Sequence, residues 1–224
     1  MVSYEHKVKN IYLGDDSWSP NEDTIAYFPF KEDFDDKVGN RTLTVNDCTI
    51  SWWYNNINSQ SSYMKLSSTI WWSTLTWSVW YYYWDNSTWW WRNTLFAKEG
   101  WTYHHVLFPA TSSSGTVWNI GFYSSSFYPS SRILTSWKWY HIVFVKNWTN
   151  EKIYVNAELV QDSNSSFDNN SYPLGMISNY DTYWNQWAQW KMSELIFESK
   201  ERSQQEITKY FKKTRTDYGY ETLL

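Results

Sequence analysis

Glu194 and Glu198, in Glu194-Leu-Ile-Phe-Glu198, are the pair whose type and spacing come nearest to acid–base chemistry. Side chains alternate between the two faces of a strand, so residues 194 and 198 project from the same face. A carboxylate pair flanking a glycosidic bond works as acid and nucleophile at a separation of about 5–5.5 Å. Here the pair reads as two solvated strand ends. Ser, His and Asp all occur, but no Gly-x-Ser-x-Gly elbow places a nucleophile. His104 and His105 are neighbours on a strand and point to opposite faces, which is poor geometry for a metal. His141 lies in an apolar strand and reads as a core or interface histidine. No zinc pattern and no phosphate-cradling glycine loop is present. Cys48 stands alone, so no internal disulfide forms, and it reads as a small buried hydrophobe. No catalytic residue is expected, and the sequence assigns no ligand-binding residue.

The elements that position these residues are strands. Thr24–Phe30, Thr42–Val45, Thr49–Ser51, Ser62–Leu66, Leu75–Tyr83, Asn93–Lys98, Thr102–Phe108, Val117–Tyr123, Lys138–Lys146, Lys152–Val155 and Met192–Glu198 are short apolar or aromatic runs separated by turn residues. That spacing predicts an all-β sandwich or barrel. The clearest hairpin spans Trp139 to Val160. Its first strand sends Ile142 and Phe144 one way and Val143 and Val145 the other, which predicts a central strand covered on both faces. Asn147–Asn150 and Asn156-Ala157 are its turns, and residues 161–171 read as a long Ser/Asn loop. One helix is expected from Ser203 to Thr214. Ser203 and Glu206 form a capping box, Ile207, Tyr210 and Phe211 share a face, and Lys212 and Lys213 suit the negative C-terminal end.

The chain has 224 residues, of which 42% are hydrophobic and 22% aromatic, enough for one packed domain. Its net charge of −4 carries no basic stripe, so no nucleic-acid partner is expected. No run approaches the ~18 apolar residues of a membrane span. The first residues lack an apolar signal region, so classical secretion is not expected.

Three segments in order resemble the laminin G-like jelly rolls of the concanavalin A-like lectin/glucanase superfamily. They are Thr24–Phe30 with Asp36-Lys-Val-Gly-Asn40, Lys138–Phe144 with Ile153–Val160, and Met192–Glu198 with Ser203–Ile207; Leu75–Trp80 adds a central strand with a core tryptophan. The resemblance implies a two-sheet antiparallel β-sandwich with one short C-terminal helix, occupying residues 23–214. Residues 1–22 would be a leader and 215–224 a polar tail. It also implies a calcium site built from Asp35 and Asp36 in the Asp-x-x-Gly loop and Glu194 at the closing strand, with Ser193 standing where an Asp is usual. Acidic surface turns are the alternative reading. Glucanases of the superfamily carry an Asp between their two carboxylates, and Ile196 occupies that place here. Val8–Gly14 and Phe211–Gly219 resemble pieces of phage virion and tail proteins.

The composition holds an anomaly of 19 Trp and 7 Gly. Glycine at about 7% would give roughly 16 residues, and turn-rich sandwiches need positive φ more than most folds. Trp77, Trp80 and Trp139 sit in strands. The other 16 are read as standing where glycines belong, among them Trp148 in the turn Asn147–Asn150, the run Trp89-Trp90-Trp91, and the doublets Trp52-Trp53 and Trp71-Trp72, where the resembled family tends to have glycine. A gene that reads UGA as glycine, translated with UGA as tryptophan, produces this pattern. An authentic tryptophan-rich surface for stacking on sugars is the other reading. Together these features lead to the expectation of a non-catalytic carbohydrate-binding or adhesion module on a virion or extracellular surface, with glycans and other virion proteins as partners. A structural virion domain without a small ligand is the alternative, and a glycoside hydrolase is the least supported.

Overall fold

Strand-forming runs dominate the molecule because aromatic and β-branched residues fill a pleated, two-faced surface well. A computed structural model describes residues 20–51, 54–57, 62–70, 73–83, 95–98, 105–106, 119–123, 127–135, 137–148, 150–164, 174–177 and 190–220. The described residues form fifteen strands, one α-helix and one 3-10 turn. The strands are β1 (Thr24–Phe28), β2 (Leu43–Asn46), β3 (Cys48–Ser51), β4 (Tyr54–Ile57), β5 (Tyr63–Ile70), β6 (Thr74–Tyr83), β7 (Phe96–Lys98), β8 (His105–Val106), β9 (Gly121–Tyr123), β10 (Phe127–Pro129), β11 (Lys138–Asn147), β12 (Asn150–Val155), β13 (Glu158–Asn164), β14 (Leu174–Ile177) and β15 (Trp190–Glu198). The helix is α1 (Gln204–Thr214), followed by the turn Arg215–Tyr218.

Two antiparallel sheets result. The first runs β13-β12-β11-β6-β15-β4-β3, with β1 also paired to β15. The second runs β10-β9-β8-β7-β14-β5-β2. Pro129 falls on the edge strand β10, where its missing N–H costs no ladder bond. Between the sheets lies the main core, where Trp77 of the first sheet meets Phe96 of the second at 4.4 Å between ring centroids. Phe144 and Phe197 complete this aromatic centre.

The outer face of the first sheet is also buried. Tyr27, Val143, Val145, Tyr154 and Ile196 pack there against Ile207 and Tyr210 of α1. β11 is therefore covered on both faces, as its apolar runs predict. The capping box forms: the backbone N–H of Glu206 donates to Ser203 Oγ, and Glu206 reaches back to the Ser203 N–H. Lys212 and Lys213 lie in the last turn of α1.

Three strands go beyond the sequence expectation: β4, β10 and β14. β13 continues to Asn164, so the first residues of the expected Ser/Asn loop are ladder instead, paired to β12 through Asn150↔Asn164. Residues 215–220 are not a free polar tail. Tyr218 stacks on Trp80 at 4.1 Å and 10°, and the Tyr220 hydroxyl donates to the Trp139 carbonyl. The leader at residues 1–19 and the rest of the tail lie outside the described residues, as do His104, Trp52, Trp53, Trp71, Trp72 and Trp89 to Trp91.

Candidate functional site

Asp36 is a loop organiser. Its carboxylate accepts from the backbone N–H groups of Tyr27 (2.9 Å), Val38 (3.1 Å), Gly39 (3.0 Å) and Arg41 (3.3 Å). A β-carbon on Gly39 would lie 2.6 Å from both Asp36 Oδ2 and the Ile25 carbonyl, so the Asp-x-x-Gly spacing follows from close approach at residue 39. Asp35 points away, with its side chain 78% exposed and Lys37 Nζ at 3.9 Å.

Glu194 stands at a bulge in β15, where the pairing with β6 shifts between Ser193 and Ile196, and its φ is 53°. Bulges re-aim side chains, and this one brings Glu194 to Lys31 Nζ at 2.8 Å and to the hydroxyl of Tyr27, which donates to it. Asp35, Asp36 and Glu194 thus form no group of oxygen ligands able to hold a metal ion among the described residues. The acceptor positions of Asp36 and Glu194 are filled by N–H groups, an ammonium and a phenol, Asp35 points to solvent, and the arrangement does not fit calcium.

Glu198 and Glu194 are not solvated strand ends. Glu198 is fully buried and accepts from Arg202 Nε at 2.8 Å and from Arg202 Nη2. Arg202 Nη1 continues to Glu206 at 2.8 Å. Burial excludes water, so each carboxylate needs a fixed cation. One is paired with Arg202 and the other with Lys31.

His141 is buried beneath α1, between Trp80 (5.2 Å) and Tyr210 (5.1 Å). Burial pushes its pKa down to about 3, so it is neutral. Cys48 packs against the core, and burial pushes its thiol up to about 12, which leaves it unreactive.

One group on the outer face of the first sheet escaped the sequence reading. Asn56, Lys191, Tyr82 and Trp139 fall in one cross-strand row over β4, β15, β6 and β11. Tyr54 leans over the same row. Lys191 Nζ lies 4.2 Å from the Tyr54 ring centroid and 5.2 Å from that of Tyr82, and donates to the Tyr54 hydroxyl at 3.0 Å. Trp139 meets Tyr82 at 5.4 Å and Tyr54 at 5.9 Å. All are half-buried, whereas Trp80 and His141 one step along the same strands are fully buried. Only the pairing of strands distant in sequence assembles this group, and β4 itself carries no clear strand signal.

Trp137 and Trp148 are the two of those 16 tryptophans whose side chains are described. Trp137 has a φ of 67° and is 61% exposed, and Trp148 has a φ of 54° and is 68% exposed. Both stand in the left-handed region that glycine fills without strain. Trp77 and Trp80, by contrast, are fully buried strand residues.

No family model matches the sequence, and no curated protein sequence matches it. Among solved structures the chain is similar to domain 4 of AbnA, a GH43 extracellular arabinanase from Geobacillus stearothermophilus in complex with arabinotriose. The TM-score is 0.61 at 16% identity, over 83% of this chain and 96% of that domain. It is similar to Trypanosoma rangeli sialidase in complex with sialic acid, with a TM-score of 0.69 at 10% identity over 97% of this chain. It is also similar to the botulinum neurotoxin serotype D binding domain, with a TM-score of 0.65 at 16% identity over 84% of this chain. The chain spans 38% of the sialidase and 51% of the toxin domain. At these identities the likeness is one of architecture, and the chain is a two-sheet antiparallel β-sandwich with a short helix on one outer face.

Proposed function

We propose that this chain is a non-catalytic glycan-binding module displayed on a phage particle or a cell surface. The observation that carries the reading is the whole-domain match to AbnA domain 4, a sandwich in complex with arabinotriose. Fold alone does not set function, and two features of the chain support the same direction. Its carboxylate pair Glu194 and Glu198 is held in ion pairs with Lys31 and Arg202. Its outer face presents a half-buried group of rings around an ammonium. Display on a particle rests on the resemblance of residues 8–14 and 211–219 to virion proteins.

A glycan array probed with the purified chain tests the binding role. The expected result is retention of one related group of glycans above background. Failure to bind any glycan overturns the reading and leaves a structural domain. Recovery of the chain from purified particles by mass spectrometry, or its coding gene lying among tail genes, tests the location.

A further inference from the structure

We infer that the outer-face row of Tyr54, Lys191, Tyr82 and Trp139 is the glycan-contacting surface, and that it takes a sugar bearing a carboxylate. This rests on the glycan-binding reading and assigns its site and ligand class. The row lies on the face that α1 covers further along, not between the sheets. Tyr218, at the end of the C-terminal turn, meets Trp139 at 5.0 Å and 63°, so the turn forms one wall of the surface.

Three rings here lie at steep mutual angles: 58° between Tyr54 and Trp139, and 63° between Tyr82 and Trp139. Such an arrangement gives ring faces and edges against which the C–H side of a pyranose can pack, and hydroxyls at its rim for the sugar's own hydroxyls. The ammonium of Lys191 sets the charge preference. Among the described residues no carboxylate lies within ion-pair distance of it. Its neighbours are the Tyr54 and Tyr82 rings and one phenol oxygen. A cation over aromatic faces is held by their quadrupoles but not neutralised. Other charged side chains described on this face are engaged elsewhere: Glu194 with Lys31, Glu198 with Arg202 and Lys152 with Glu201. The row therefore presents one positive charge in a half-buried aromatic frame, which favours an anionic sugar over a neutral one. The surface is made from strand residues of β4, β6, β11 and β15, which hold their geometry better than loops do. It uses Trp139, and none of the 16 tryptophans read as glycines.

Binding of 3′-sialyllactose, a tri-galacturonate and neutral lactose to the full chain, followed by tryptophan fluorescence and calorimetry, tests this. One acidic probe should bind at least tenfold more tightly than lactose. Lys191→Gln should remove that preference, Lys191→Arg should keep it, and thermal melting should be the same for all three proteins. Tyr82→Ala should weaken acidic and neutral probes alike. Acidic binding unchanged by Lys191→Gln, alongside positive array results, overturns the site while the glycan-binding role stands. Equal binding of acidic and neutral probes by the wild type overturns the ligand class. No binding of any glycan overturns both.

Discussion

Trp148 occupies the two-residue turn between β11 and β12, next to the Asn147↔Asn150 pair, and its N–H donates to the Ser73 carbonyl at 2.7 Å. Two-residue hairpin turns need positive φ at a central position, which is why glycine prevails there. A residue with a β-carbon pays about 1–2 kcal/mol in the left-handed region, and a ring 68% exposed returns little by burial. The same holds at Trp137. Replacing Trp148 or Trp137 by Gly is therefore expected to stabilise the fold by about 0.5–1 kcal/mol each, after the larger freedom of glycine in the unfolded chain is counted. Urea unfolding measures it, and a loss of stability in both variants would contradict it. These conformations support the reading that the turn tryptophans are glycines decoded as tryptophan. Sequencing the gene decides that: UGG at those codons removes the idea. Gly39 shows what a required glycine looks like here, since Asp36 and the Ile25 carbonyl leave no room for a β-carbon.

At the scale of the element, α1 is fastened to the sheet by charge as well as by its apolar face. Arg202, just before the cap, ties buried Glu198 of β15 to Glu206 in the first turn, and its backbone N–H donates to Thr76 Oγ1 of β6 at 3.0 Å. Removing one partner of a buried pair strands the other charge. Arg202→Ala is expected to cost about 3–5 kcal/mol, while Arg202→Met with Glu198→Leu should cost far less, since both charges then leave together. A thermal-unfolding comparison of the two variants checks this, and equal losses would contradict it. The helix was legible because its capping box, apolar face and terminal lysines are all local in sequence. β4 was not, because Tyr54-Asn-Asn-Ile57 has the wrong polarity for a strand. Its Asn55 is buried, and Nδ2 donates to Met64 Sδ at 3.1 Å across the sandwich, a partner no local pattern announces. The bulge at Glu194 was hidden for the same reason. It exists through pairing with β6, and it brings Glu194 to Lys31 and to the Tyr27 hydroxyl.

Across the whole molecule, the layer between sheet and helix sets the response to acid. His141 has a folded pKa of about 3 beneath α1, against about 6.5 in an unfolded chain. Between those values the unfolded state binds a proton that the folded state refuses, so stability falls as pH drops through this window. Burial alone would raise the Glu206 carboxyl, but hydrogen bonds from Ser203, Lys200 and Arg202 outweigh it and hold the pKa at about 2. That contribution is complete above about pH 4.5 and disappears only as pH falls towards 2. Melting temperatures between pH 6.5 and 4.5 should therefore fall in the wild type and fall less in His141→Phe, whose ring has no proton to take up; identical slopes would contradict the assignment. What the sequence determined by itself is most of the strands along the chain, the double-sided burial of β11 and the docked helix, because alternation, turn chemistry and capping are properties of neighbouring residues. What only the tertiary structure decided is where charge and aromatic surface meet. Asp36 and Glu194 were brought within reach of N–H donors, an ammonium and a phenol instead of a shared metal, and Tyr54, Lys191, Tyr82 and Trp139 came together from four strands. Such groupings depend on register between distant segments, which no local pattern encodes.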